Sequence, residues 1–156
     1  MAAALVKESV VSIDSSASWL AEVAEYCSRN NLATMPRLVH ADIGPTRDWG
    51  YPADPNTKDS WPNYHTKIWT DPGASLSDLY FVDGRFRVAC FMQVILHCEA
   101  SAFILFHDFT SRDRYHIVRE VAREVAVVED LSVFQPLSNV RERANEILSC
   151  YELESA

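Results

Sequence analysis

Asp78-Leu-Tyr-Phe-Val-Asp-Gly-Arg-Phe-Arg-Val-Ala-Cys90 is the stretch that decides the fold class. Leu79–Val82 reads as a short apolar strand, and Asp83-Gly84 closes it with turn chemistry. Directly behind it, residues 86–98 carry Phe86, Val88, Phe91, Val94, Ile95 and Leu96 on nearly every face. A helix that is apolar all round is a buried one. A strand, an acidic closure and a buried helix in that order are one repeat unit of an α/β fold.

The same order recurs outward in both directions. Val10–Ile13 is a short β-branched run that ends in Asp14-Ser15-Ser16, good N-cap residues for a helix reaching about Arg29. In that helix Trp19, Val23 and Tyr26 or Cys27 recur at helical spacing. Arg37–Ala41 is a second strand, closed by Asp42-Ile-Gly44, and Ala102–Phe106 is another, closed by His107-Asp108. A helix follows from Asp113 to about Ala122, with Tyr115, Val118 and Val121 or Ala122 inward. Val125–Val128 and Leu131–Phe134 form a hairpin across Glu129-Asp130, Pro136 ends the second of them, and a last helix runs from about Asn139 to Cys150. The expectation is a Rossmann-like α/β fold, a mostly parallel sheet with a C-terminal antiparallel hairpin. Residues 1–156 read as one domain.

One segment breaks the alternation. Between residues 44 and 73 lie three of the four glycines, five of the seven prolines and three of the four tryptophans. Glycine and proline punctuate loops, while the aromatics supply area to pack, so residues 44–77 read as a structured flap.

Composition bounds the function. Lys+Arg number 14 and Asp+Glu 22, so the formal charge is −8, which argues against a nucleic-acid partner. No apolar run approaches the roughly 20 residues that cross a bilayer, so no membrane partner is expected. Met1–Glu8 is too short and too charged for a signal peptide. Cys27, Cys90, Cys98 and Cys150 are scattered with no CxxC pair, against a zinc site; Cys90 and Cys98 read as buried free thiols of a reducing, cytoplasmic compartment.

Four strands thus end in an acidic group: Asp14, Asp42, Asp83 and His107-Asp108. In open parallel sheets, ligands bind beyond the carboxyl ends of the strands, and an acid at such a place accepts hydrogen bonds from ribose hydroxyls. Asp is also a favoured turn and cap residue, which explains any single one of the four without a ligand.

Asp78–Cys90, followed by Ile104-Leu-Phe-His-Asp-Phe109 and the Arg112/Arg114-Tyr115 pair, resembles the second half of a class I S-adenosylmethionine-dependent methyltransferase domain. Val10–Asp14 with Trp19 resembles that family's second strand and its ribose acid, and His40–Gly44 its third strand. Leu131–Pro136 resembles its last strand. The resemblance implies S-adenosylmethionine as cofactor, with Asp14 on the ribose, Asp42 and Ile43 beside the adenine, and Asp83 and Asp108 near the transferred methyl. His107 is the implied general base, since imidazole titrates near neutrality. Arg85 and Arg87 pair either with an anionic acceptor or cofactor carboxylate, or with Asp83 and Asp108. If the flap caps the acceptor pocket, Tyr64 and His65 face the substrate; otherwise its tryptophans bury the flap and His65 is solvated. Asp83, His107 and Asp108 suit a divalent cation only partly, and no metal is assigned.

One departure stands against these matches. The family opens with a strand and a Gly-rich turn against the cofactor, yet this sequence has no glycine before Gly44, and Ala2–Lys7 looks like the end of the helix behind such a turn. A domain truncated at its N-terminus is therefore expected, with its first strand missing and the strands at 10–13 and 79–82 either paired directly or separated by a gap. Two functions follow: a methyltransferase for a small-molecule or sugar-type acceptor, impaired by the missing loop, or a non-catalytic remnant that binds a partner protein or self-associates through an unpaired sheet edge.

Overall fold

A computed structural model of the chain describes residues 9–30 and 34–155, so the reading of Ala2–Lys7 lies outside the described residues. The chain divides into two compact units, residues 1–74 and 75–156.

In the first unit, β1 (Val11–Asp14) pairs in parallel with β2 (Arg37–His40), with Asp14 opposite His40. Between them runs α1 (Ala17–Arg29), whose N-cap Ser16 accepts a hydrogen bond from the Trp19 amide. The inward stripe of α1 is Leu20 and Cys27, with Trp19 and Tyr26 turned to solvent. Of the expected stripe, Cys27 is buried and Val23 half-buried, whereas Leu20 takes the inward place expected of Trp19.

Residues beyond β2 form short helical turns rather than extended loop: Asp48–Gly50, Pro55–Ser60, α2 (Asn63–Thr66) and Lys67–Thr70. Side chains fasten them. Arg37 at the start of β2 grips Asp71 with two contacts, Nε–Oδ2 at 2.7 Å and Nη2–Oδ1 at 3.0 Å. The Thr57 hydroxyl lies 3.0 Å from the Ile43 carbonyl and 2.8 Å from that of Asp54, and accepts from Trp61 Nε1 at 3.2 Å. Gly44 needs to be glycine on two counts. Its φ is +84°, and a Cβ there would lie 2.5 Å from the Thr57 side chain, which those bonds hold in place. Gly44→Ala is expected to destabilise the chain by about 2 kcal/mol, read by chemical denaturation.

The second unit holds a four-stranded sheet in the order β3-β4-β6-β5. β3 (Leu79–Val82) is parallel to β4 (Phe103–His107), and β6 (Leu131–Pro136) is antiparallel to both β4 and β5 (Ala122–Val128). β1 and β3 belong to different sheets and do not pair. Parallel and antiparallel pairings are therefore equal in number among the described strands, against the expected mostly parallel sheet. The reversed strand β6 takes an interior place and so makes two antiparallel contacts instead of one.

α3 (Arg87–His97) buries Val88, Ala89, Phe91, Met92, Val94 and Ile95, as its all-round apolar sequence requires. α4 (Arg141–Tyr151) contributes Ala144 and Ile147. The core is aromatic: Phe106 lies against Phe91, Phe109 and Tyr115 at 5.7, 5.3 and 5.0 Å between ring centroids, and Phe134 joins at Phe91 and Phe109.

The segment Asp113–Glu120 is a helix, as expected, and of the 3-10 kind. Tyr115, Val118 and Val121 are all buried and recur every three residues, which is the 3-10 period. The hairpin turn falls at Glu129-Asp130 with Glu129 at φ 56°. There Asp130 accepts hydrogen bonds from the hydroxyls of Thr110 and Ser111 and from the Ser111 amide. These bonds, Thr110 first, push its pKa down to about 2. A depressed carboxylate stabilises the fold fully above its unfolded value near 3.9 and loses that contribution as pH falls through the folded value. Asp130→Asn should therefore flatten acid denaturation between about pH 4 and pH 2.

No helix among the described residues is long and apolar enough to cross a membrane. All four cysteines are free. Cys27 is buried; Cys90 is half-buried as a whole residue but its thiol is enclosed, while Cys98 is half-buried.

Candidate functional site

The first unit brings two of the expected residues to one edge. β1 and β2 are parallel and in register, so Asp14 and Asp42 both follow the carboxyl ends of that pair. Each caps its own turn. Asp14 Oδ1 accepts from the Ser16 amide at 2.7 Å, and Asp42 Oδ1 accepts from the Gly44 amide at 3.0 Å. Using one oxygen on the backbone fixes each carboxylate and leaves the second to accept from a ligand hydroxyl. Ile43 is fully buried and its carbonyl is bonded by Thr57, so its side chain offers no surface to an adenine. Tyr64 and His65 lie in α2 and are only 7% and 3% exposed. The alternative of a solvated His65 is corrected: its ring is packed inside the unit, and its carbonyl accepts from Trp69 Nε1 at 3.0 Å.

The second unit builds the denser constellation. Val82 stands opposite Phe106, which puts Asp83 and His107 side by side at the carboxyl ends of β3 and β4. His107 Nδ1 is 2.8 Å from Asp83 Oδ1 and 3.2 Å from Asp108 Oδ1. The nitrogen sits within ion-pair reach of both carboxylates without the alignment of a hydrogen bond to either. The side chain is 45% exposed while Nδ1 is buried, so the exposed edge of the ring is the one that carries Nε2.

Arg87, in the first turn of α3, reaches back to both acids. Its Nη1 is 2.6 Å from Asp108 Oδ2 and its Nη2 is 3.4 Å from Asp83 Oδ1, with the side chain only 4% exposed. Of the two readings held for Arg87, the paired one describes its contacts. Arg85 is half-buried beside it, and its carbonyl faces the Cys90 thiol at 3.5 Å.

Arg112 and Tyr115 complete the cluster, and neither was expected to do so. Arg112 Nη2 is 2.7 Å from Asp108 Oδ2, and its Nη1 donates to the Tyr115 hydroxyl at 3.2 Å. The buried Tyr115 ring receives Arg87, Arg112 and Arg114 within 5.2–5.8 Å of its centroid. The signal for Arg112 was its spacing of four from Asp108; Tyr115 read as core, which it also is.

Backbone strain surrounds these side chains. Phe86 has φ 53° and Asp108 φ 55°. Left-handed non-glycine residues cost about 1–2 kcal/mol and persist where their surroundings fix them. Phe86 is fully buried, which holds the turn that aims Arg87 at the two acids.

The electrostatics follow from this geometry. Partial burial of Asp108 opposes its ionisation. The Arg87 hydrogen bond and the charges of Arg87 and Arg112 outweigh that and hold the carboxyl below its usual range. Burial pushes the Cys90 thiol up to about 12 against the charge of Arg87, so it is not a nucleophile at neutral pH. No three His, Cys, Asp or Glu side chains among the described residues are arranged to hold a metal ion.

Comparison with solved structures finds a methyltransferase-like protein from Silicibacter pomeroyi DSS-3, with a TM-score of 0.80 and 27% identity. The match covers 94% of this chain and 77% of that one. The chain therefore has a methyltransferase-like α/β fold. A scan of protein-family models and a search of curated proteins match nothing.

Proposed function

We propose that the chain is a class I S-adenosylmethionine-dependent methyltransferase-type protein of the cytoplasm. The observation that carries this reading is the likeness to a methyltransferase-like fold, joined to acids at the carboxyl ends of β1, β3 and β4 and just beyond β2. Asp14 fits the cofactor ribose, because its fixed carboxylate keeps one oxygen to accept a hydroxyl. Asp42 is exposed and fits the adenine side, whereas Ile43 does not fit as a contact. S-adenosylmethionine, when bound, supplies an electrophilic methyl on sulfur. His107 then takes the acceptor proton on Nε2, with Asp83 and Asp108 facing its Nδ1. The acceptor is of the small-molecule or sugar type, with half-buried Arg85 proposed to help shape its site, whereas Tyr64 and His65 are buried and do not fit as substrate contacts.

A second reading has its own observation. Among the described strands β3 is one of the two outer strands of its sheet, and its Leu79 and Phe81 are 57% and 58% exposed. That suits a non-catalytic module that takes a strand from a partner protein along β3.

Thermal unfolding with S-adenosylhomocysteine separates the two. A ligand that binds only the folded chain stabilises it by about 2.7 kcal/mol at a hundredfold excess over its Kd. The transition should rise saturably, and Asp14→Asn should remove the rise. A cooperative transition that stays put at every concentration leaves the strand-accepting module.

A further inference from the structure

We propose that the Arg87 guanidinium is a built-in cation of the Asp83–His107–Asp108 rim and stands where these donors would otherwise hold a divalent ion. Two carboxylates and an imidazole at neighbouring strand ends are donors that Mg²⁺ or Mn²⁺ accepts in part. Here one guanidinium spans both acids, Nη1 at 2.6 Å from Asp108 and Nη2 at 3.4 Å from Asp83. A second, Arg112, sits on the same Asp108 oxygen at 2.7 Å. Two carboxylates thus meet two guanidiniums, and an added divalent ion would face their repulsion at close range.

Arg87 is not free to swing aside. Its side chain is 4% exposed, lies 5.8 Å from the Tyr115 ring centroid and starts from the first turn of α3. Its Nε is buried without a hydrogen-bond partner. A buried donor left unsatisfied is costly, and a buried ion pair is weak evidence of a gain in stability. The position therefore tolerates a poor hydrogen-bond fit to keep a positive charge between the two acids. With that charge between them, Asp83, His107 and Asp108 are not arranged to hold a metal ion.

The consequence is a proton-accepting His107 rim that needs no divalent cation. That consequence rests on the methyl-transfer reading, whereas the placement of Arg87 does not. Mn²⁺ titration followed by electron paramagnetic resonance tests it on the full chain, with Arg87→Met, Arg87→Lys, Asp108→Asn and the Arg87→Met/Asp108→Asn pair. Circular dichroism checks that each variant is folded. Wild type and Arg87→Lys should show no saturable Mn²⁺ binding that Asp108→Asn removes. Arg87→Met should gain Mn²⁺ affinity by at least about tenfold, lost again in the double variant. Saturable binding by wild type that Asp108→Asn abolishes would overturn the proposal, and so would a folded Arg87→Met with no gain. If Arg87→Met does not fold, the wild-type and Arg87→Lys titrations still decide. The readout is metal binding alone, so a failed S-adenosylhomocysteine shift would sink the cofactor reading and leave this result standing.

Discussion

Replacing Phe106 by alanine should lower the stability of the chain by about 4 kcal/mol and its melting point by roughly 10 °C. Phe106 is fully buried on β4, the strand that joins the parallel pair to the antiparallel hairpin. Its ring meets Phe91 from α3, Phe109 and Tyr115. Truncation removes a large apolar area and leaves a cavity that three other rings, each held by its own neighbours, cannot collapse to fill. Tyr115 is also the ring on which Arg87 and Arg112 rest, so the same cavity should loosen their grip on Asp108. The measurement is equilibrium denaturation of Phe106→Ala beside wild type. A loss under about 1 kcal/mol would mean that the aromatic cluster is not the centre of this unit.

His107→Gln should reduce methyl transfer by about a thousandfold while leaving S-adenosylhomocysteine affinity within about twofold. A general base acts only in the transfer step, so its loss appears in the rate and not in cofactor binding. The geometry assigns the nitrogen. Two carboxylates face Nδ1 and favour its proton there, which leaves the Nε2 lone pair on the exposed edge. Asp83→Asn weakens that preference and should slow transfer less than His107→Gln does. A transfer rate in His107→Gln within about tenfold of wild type would remove His107 from the reaction.

Much of the fold was legible in the sequence because local signals agreed with the final packing. Leu79–Val82 followed by an all-apolar helix, the caps at Asp14–Ser16 and the Glu129-Asp130 turn each rest on short-range chemistry. The departures rest on long-range packing. In α1 the expected Cys27 is inward, but tertiary contacts, not helical period, chose Leu20 over Trp19. The interior position of β6 depends on pairing with β4, which no local pattern encodes. The helix at Asp113–Glu120 and its inward residues were legible, and the three-residue repeat Tyr115, Val118, Val121 is what makes it 3-10. At the site, the acids stood out because strand ends place them, and their pairing with Arg87 was one of two open readings. Arg112 and Tyr115 stayed hidden, because a side chain's partner depends on where a folded loop aims it. Tyr64 and His65 were read from a segment whose short helical turns bury them, which composition alone does not reveal.

The central claim is that this chain holds the methyltransferase cofactor at its β1–β2 edge. A ¹H–¹⁵N correlation spectrum of the labelled chain, titrated with S-adenosylhomocysteine, tests it most directly. The amides of Ser16 and Gly44 donate to Asp14 and Asp42, so they report on the two carboxylates assigned to the cofactor. The account predicts that both cross-peaks move saturably with the same Kd, and that Asp14→Asn abolishes the change. If both stay fixed at saturating ligand concentration, the β1–β2 edge does not hold the cofactor.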